Sequence, residues 1–258
     1  MIPVKNEEEV AHMRESASLL VKTFRRLESF IQPGITTKKL DAIAEEIIRS
    51  DGGVPSFKGY RGYPASICTS IDQEVVHGIP GDRVLQTGVI ISIDIGVLFN
   101  GFHSDAAKSY GLGELDSERL RLMQSTKTAL HKAIKKCRAG NRLSDISHAV
   151  QSHVESQGFQ VVRDLVGHGI GREMHEPPQI PNYGSPHRGE KLKPGMTFAI
   201  EPMVNMGGYE VVVTRDGWTI ETKDGLPSAH FEHTVLVTGG KPEILTLGIE
   251  NHSGEAYD

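Results

Sequence analysis

Residues 89–110 constrain this chain more than any other stretch. Val89-Ile90-Ile91-Ser92-Ile93-Asp94-Ile95-Gly96-Val97 is β-branched almost throughout, which is the composition of a buried strand. Asn100-Gly101 follows, a dipeptide that strongly favours a hairpin turn. Phe102 to Tyr110 then reads as the return strand. Asp94 interrupts this apolar run, with Ile91, Ile93, Ile95 and Val97 around it. An ionised carboxylate in such a place is costly unless it is paired or bound to a metal. Asp105 lies across the turn. Either aspartate alone could be a strand-end salt bridge or turn contact. Two on adjacent strands can share a face, and a divalent cation relieves their repulsion.

The rest of the pattern supplies the frame. A helix is expected over 6–30, capped by Asn6, with Glu7, Glu8 and Glu9 in its first turn. Thr36 or Thr37 opens a second, running to about Ser50. Ser66 to Ile71 is a short strand candidate. Two further helices are expected at about 116–137, opened by Asp116 and Ser117, and 144–157, capped by Ser144. Extended structure follows from Gln160, including a hairpin of Val211–Thr214 and Trp218–Glu221 about Arg215-Asp216-Gly217. Two helices then strands, twice over, suggest an α+β fold of two similar halves, with helices on one face of a largely antiparallel sheet. The halves run over about 5–114 and 115–247 of one domain, 1–258, and residues 248–258 read as a polar, frayed tail.

Other chemistry-bearing residues also sit in extended or glycine-rich segments. His168 lies in Gly167-His168-Gly169-Ile170-Gly171, and His175 follows in Met174-His175-Glu176-Pro177-Pro178. Histidines in such a connection suit metal binding or acid–base work, although a loop with incidental histidines reads the same way. Glu201 ends the apolar segment Thr197 to Ile200, Glu232 precedes Val235-Leu236-Val237, and His77 stands at a turn before Gly78. Four carboxylates and one imidazole suit two divalent ions such as Mn, Fe, Co or Zn. Two ions balance four carboxylates, where one would not, and such a site generates a nucleophile from water near neutral pH.

Several classes are excluded. A net charge of −5 makes the chain a poor candidate for a general nucleic-acid binder, which needs a basic face, and leaves only a local basic patch open; the cations of 127–142 (Lys127, Lys132, Lys135, Lys136, Arg138, Arg142) read as a solvated helix face. Two cysteines, Cys68 and Cys137, are too few for a disulfide framework. No window reaches the ~18 uninterrupted apolar residues of a membrane span. The N-terminus has no apolar core of a signal peptide, so a cytoplasmic protein is expected. There is no P-loop, Gly-x-Ser-x-Gly elbow or His-Glu-x-x-His.

These residues resemble the type I methionine aminopeptidases. YRGYPASICTSI, VVHGIPG, SIDIGV, GFHSDAAKSY, GHGIGREMHEPPQIPNY, GMTFAIEPM and DGWTIETKDGLPSAHFEHTVLV occur in family order and cover about residues 5 to 246. The Asp, Asp, His, Glu, Glu set belongs to the wider pita-bread superfamily, and HGIP, GHGIG and FEHT point to the methionine branch. The resemblance implies a pita-bread fold with pseudo-two-fold halves. It implies that Asp94 binds one divalent ion, His168 and Glu201 the other, and that Asp105 and Glu232 bridge both. Water held there would attack the first peptide carbonyl, with Glu201 shuttling its proton. His175 would bind the carbonyl oxygen or oxyanion, and His77 the scissile amide or second residue.

By the same resemblance, Phe57, Tyr60, Tyr63, Cys68, Met174 and Trp218 line a methionine pocket, and a small second residue is preferred. A monovalent cation is expected near Asp72, Glu74 and Ser228. The expected partner is the N-terminal peptide of a nascent chain. Ribosome association is plausible, and a monomer without membrane or nucleic-acid contacts is expected. The zinc-bearing N-terminal extension and the type II insertion are not seen, which suits the minimal bacterial-type form. Phe57 stands where cysteine is common, Met174 where an aromatic is common and His230 where glutamine is common. Two alternatives share the ligand set or the fold. One is an X-Pro aminopeptidase or prolidase, which usually carries a large N-terminal domain. The other is a non-catalytic binding module, which would lose ligands.

Overall fold

Asn6 opens the first helix through a reciprocal cap. Its side chain accepts from the Glu9 N–H at 2.9 Å, and the Glu9 carboxylate accepts from the Asn6 N–H at 3.0 Å. A computed structural model describes residues 1–250 of the chain. Four α-helices form among the described residues: α1 (Glu7–Glu28), α2 (Thr37–Ser50), α3 (Ser117–Ile134) and α4 (Leu143–Ser156). Thr36 and Asp116 cap α2 and α3 with their side chains. Among the described residues no helix is long and apolar enough to cross a membrane.

The long hairpin forms as expected, from Ile90–Phe99 and Phe102–Gly111. Asn100 and Gly101 take φ of 49° and 79°, the paired left-handed conformation that matches strand twist. Ile90–Phe99 also pairs with Cys68–Ile71 and with Val54–Pro55, and every pairing between named strands is antiparallel. A five-stranded sheet joins Glu243–Ile244, His233–Leu236, Thr197–Ile200, Val166–Gly169 and Glu176–Pro181 in that order. Smaller sheets pair Met203–Asn205 with Ser228–His230 and Gln160–Val161, and Ile220–Thr222 with Glu74–Val76 and Val211–Val213.

The two principal cores follow the helix pairs. Leu20 and Phe24 of α1 and Leu40 and Ile48 of α2 pack with Ile91, Ile93, Ile95 and Val97. Leu130 of α3 and Val150 and Val154 of α4 pack with Phe198, Ile200, Val204 and Val235. Helices thus cover one side of each group of strands and leave the other side free to build a site.

Several boundaries differ, each for a local reason. The expected strand at Ser66 begins only at Cys68, because the N–H groups of Ser66 and Ile67 donate to the Asp41 carboxylate. Trp218 and Thr219 stand outside the strand Ile220–Thr222 because their N–H groups donate to Asp216. The fourth helix is not capped by Ser144. It starts at Leu143, where the Asp145 carboxylate accepts from the Arg142 N–H at 2.8 Å, while the Ser144 hydroxyl bonds the backbone of Arg188. The third helix ends at Ile134 rather than 137, as the chain tightens into i→i+3 bonds at Lys136 and Cys137. At the C-terminus, Ile249 is buried in the α1–α2 core and its carbonyl accepts from Lys108, so the packed chain runs past 248. Residues 251–258 of the expected tail lie outside those described.

Candidate metal centre

Hairpin register decides where the first two carboxylates go. Asp94 is opposite Ala107, and Asp105 is opposite Gly96. Opposed residues share a face, so Asp94 and Asp105 are diagonal neighbours on one face. The odd-numbered Ile91, Ile93, Ile95 and Val97 point the other way, into the helical core. Gly96 is what lets an aromatic wall close over this face. A Cβ there would lie 2.7 Å from the Phe57 ring and 2.9 Å from the Ser56 Cβ.

The second half delivers three more ligand-type residues. His168 sits in Val166–Gly169 between glycines that cannot be replaced cheaply. A Cβ on Gly167 would meet the Ala199 carbonyl oxygen at 2.6 Å, and one on Gly169 the Pro177 oxygen at 2.3 Å. His168 Nδ1 lies 2.8 Å from the Gly169 carbonyl oxygen. A carbonyl only accepts, so Nδ1 carries the proton and Nε2 keeps its lone pair. Glu201 follows the strand Thr197–Ile200, and its carboxylate is 3.6 Å from that Nε2. Glu232 joins the strands Ser228–His230 and His233–Leu236. Its N–H donates to the Ala107 carbonyl at 2.9 Å. The Thr234 hydroxyl accepts from the Asp105 N–H at 2.9 Å and donates to the Asp105 carbonyl at 2.7 Å. Those three bonds fasten one half's ligands to the other's.

All the residues singled out as ligands, outer histidines or pocket line one open cavity of about 680 Å³, and Arg61 joins them. Ligand atoms of Asp105, His168 and Glu232 all lie within 4.8 Å of one another. One buried oxygen each of Asp94, Asp105 and Glu232 has no hydrogen-bond partner. Buried carboxylate oxygens without donors, facing an imidazole lone pair, fit divalent cations. Burial raises all four carboxyls. Asp94 is pushed up to about 7, and Asp105, Glu201 and Glu232 are raised further by one another's charge.

The outer histidines flank this cluster. Burial lowers His77, which stands at φ 60°, a left-handed conformation costly outside glycine. His175 Nδ1 lies 2.8 Å from the Tyr60 hydroxyl, and the two rings stack at 5.2 Å. Desolvation in the cavity, then the neighbouring His168 ring and Arg61 charge, push His175 down to about 3. His168 falls to about 4 by burial. Both are neutral at pH 7. Phe57, Tyr63, Cys68 and Met174 form a contiguous apolar cluster with Tyr60 and Trp218. Tyr63 meets Trp218 edge-on at 5.1 Å, and burial pushes the Cys68 thiol up.

His230 is buried, 3.8 Å from the Glu201 carboxylate, with its Nε2 unpartnered. At the expected monovalent position, Asp72 accepts from Arg119 and Glu74 from Arg83, while the Ser228 N–H donates to the Asp72 carbonyl. Sequence reasoning missed two participants. Thr234 could have been noticed as a hydroxyl within an otherwise apolar strand. Arg61 carries no local signal, being an exposed arginine in a glycine-rich turn.

The model of metallopeptidase family M24 matches residues 11–239. The methionine aminopeptidase of Clostridium perfringens is 52% identical over 247 residues, covering 96% of this chain and 99% of that protein. The crystal structure of methionine aminopeptidase from Thermotoga maritima superposes with a TM-score of 0.94 at 46% identity, covering 95% of this chain and 99% of that one. The Xaa-Pro dipeptidase of Bacillus anthracis matches with a TM-score of 0.76 at 20% identity, covering 94% of this chain and 61% of that one. That last likeness is one of fold alone. The shared architecture is the pita-bread fold.

Proposed function

The chain belongs to metallopeptidase family M24, and from that premise we propose how its cavity removes the initiator methionine of proteins and peptides. It is a methionine aminopeptidase, a metallo-exopeptidase that acts on the N-terminal peptides of nascent chains. Membership implies the use of divalent metal. The observation that carries the site assignment is the set of donorless buried oxygens on Asp94, Asp105 and Glu232 beside His168, in a cavity whose remaining lining is aromatic and sulfur-bearing.

Two ions held by Asp94, Asp105, His168, Glu201 and Glu232, with Mn, Fe, Co and Zn all suited to such donors, would make water acidic enough to act as a nucleophile near neutral pH. Glu201 holds the proton in transit, since burial among carboxylates raises its affinity for one. With the Tyr60 hydroxyl donating to Nδ1 of His175, Nε2–H of that ring donates to the carbonyl oxygen as it gains charge. A neutral imidazole fills this role with its remaining N–H and adds no positive charge beside the cations. His77 orients the scissile amide and limits the second residue to a small one. Phe57, Tyr60, Tyr63, Cys68, Met174 and Trp218 exclude water around the methionine side chain, whose thioether fits a soft apolar wall. A monovalent cation beside Asp72, Glu74 and Ser228 would rely on backbone carbonyls, because arginines already take the two carboxylates.

The test is a peptide assay on metal-stripped protein before and after adding Mn, Co, Fe or Zn. Release of methionine from Met-Ala-Ser but not Met-Lys-Ser, only with metal, is the expected result. Cleavage of Ala-Pro-Ser alone would move the protein to a proline-directed reading. No cleavage in folded, metal-loaded protein would favour a binding module.

A further inference from the structure

Arg61 occupies a backbone conformation that does not suit it. It sits at φ 50°, ψ 23° between Gly59 and Gly62, both also at positive φ. The turn is closed by the bonds Tyr60 N–H to Phe57 O and Gly59 N–H to Tyr63 O, so the backbone is held and the side chain leaves in a set direction. Glycine or asparagine would fit such a position with less strain. The folding of the turn therefore gives no reason for a long cationic side chain there.

The side chain's surroundings do give one. Arg61 is exposed yet lines the catalytic cavity. Its guanidinium lies 5.4 Å over the Tyr60 ring, and Tyr60 stacks on His175. Among the described residues no carboxylate pairs with it, and it is the one lysine or arginine in the cavity lining. If, as in the reading above, the first side chain lies among Phe57, Tyr63 and Trp218 and the first carbonyl at His175, the open side of the cavity, where exposed Arg61 stands, is left for the residues that follow.

We propose that Arg61 selects among peptide substrates by pairing with a carboxylate at the third residue, carried by its side chain or by the end of a tripeptide. The inference rests on the aminopeptidase reading above. A planar guanidinium held over an aromatic ring presents its N–H fork to a carboxylate with little freedom to lose.

The test compares kcat/KM for Met-Ala-Asp-amide and Met-Ala-Lys-amide, and for Met-Ala-Ser as free acid and as amide, in metal-loaded protein. At low salt the acidic member of at least one pair should lead by about fivefold, as expected for an exposed charge pair. About 0.5 M NaCl should shrink the lead. A lead confined to the aspartate peptide identifies the side chain as the source, and one confined to the free acid identifies the chain end. Arg61→Gly, which relaxes the turn, should bring the ratio to about one, and Arg61→Glu should reverse it. Ratios near one in wild-type protein, or ratios unchanged in Arg61→Gly, overturn the proposal. If no peptide is cleaved, the aminopeptidase reading fails. Calorimetric Kd values for the same pairs and variants then decide the Arg61 inference by the same ratios.

Discussion

His175 shows how much one side chain's state depends on its neighbours. Desolvation and the neighbouring groups, His168 and Arg61 foremost and then His77 and His103, hold its pKa at about 3. Its ring is therefore neutral throughout the physiological range, which leaves one N–H for the proposed donor role. His175→Ala should lower kcat by roughly 10²–10⁴, the usual loss for a group acting on the transition state. Metal content should be unchanged, because the assigned ligands are elsewhere. Elemental analysis beside steady-state kinetics separates the two effects, and full retained activity would remove the role. At this scale the sequence is most legible where a residue contradicts its surroundings. Asp94 stands out because an ionised carboxylate does not belong in an isoleucine run. Arg61 does not stand out, since an exposed arginine contradicts nothing.

Strands and turns place these groups through register and close approach. Gly96 sits on the strand Ile90–Phe99, where the Phe57 ring takes the space of a side chain. Gly96→Ala should push that ring into the pocket, cost about 1–3 kcal/mol as overpacking does, and raise KM for methionine peptides more than it lowers kcat. Peptide kinetics with a denaturation curve check both parts. Thr234 acts through the backbone of Asp105, accepting from its N–H and donating to its carbonyl. Thr234→Val leaves two buried groups unpaired, at about 1–3 kcal/mol each. It should lower both the melting temperature and metal affinity, as read by thermal melts and metal titration. Hairpin and helix caps were readable because Asn100-Gly101, Asn6 and Thr36 act on residues within four positions. The strand at 66 and the cap at Ser144 were misread because distant partners, Asp41 and Arg188, claim the hydrogen bonds that local rules assign elsewhere.

Over the whole molecule the balance of charge sets how stability depends on pH. Asp94 is raised to about 7, and Asp105, Glu201 and Glu232 are raised as well. A carboxyl whose pKa is higher in the folded state than in the unfolded chain binds its proton more tightly when folded. Its contribution to stability is complete below the unfolded value near 4 and fades as pH rises through the folded value. Metal-free protein should therefore melt at lower temperature at pH 8.5 than at pH 7, a range in which the depressed histidines His168 and His175 are largely neutral in the folded and the unfolded chain alike. Divalent metal should remove that fall and release protons on binding. Melting curves with and without chelator, and titrations in buffers of different ionisation enthalpy, check both. A metal-free melting temperature that rises over this range would mean that the carboxyls are not crowded as described. By itself the sequence determined the α+β elements, the strand faces and the residue types that could hold metal, because periodicity, turn dipeptides and caps act over a few residues. Tertiary structure alone decided that donors from residue 94 to residue 232 converge, that one oxygen each of Asp94, Asp105 and Glu232 is buried without a competing donor and that Arg61 reaches the same cavity. Such convergence depends on contacts like that of Asp105 with Thr234, 129 residues apart. Desolvation exists only once those segments have met.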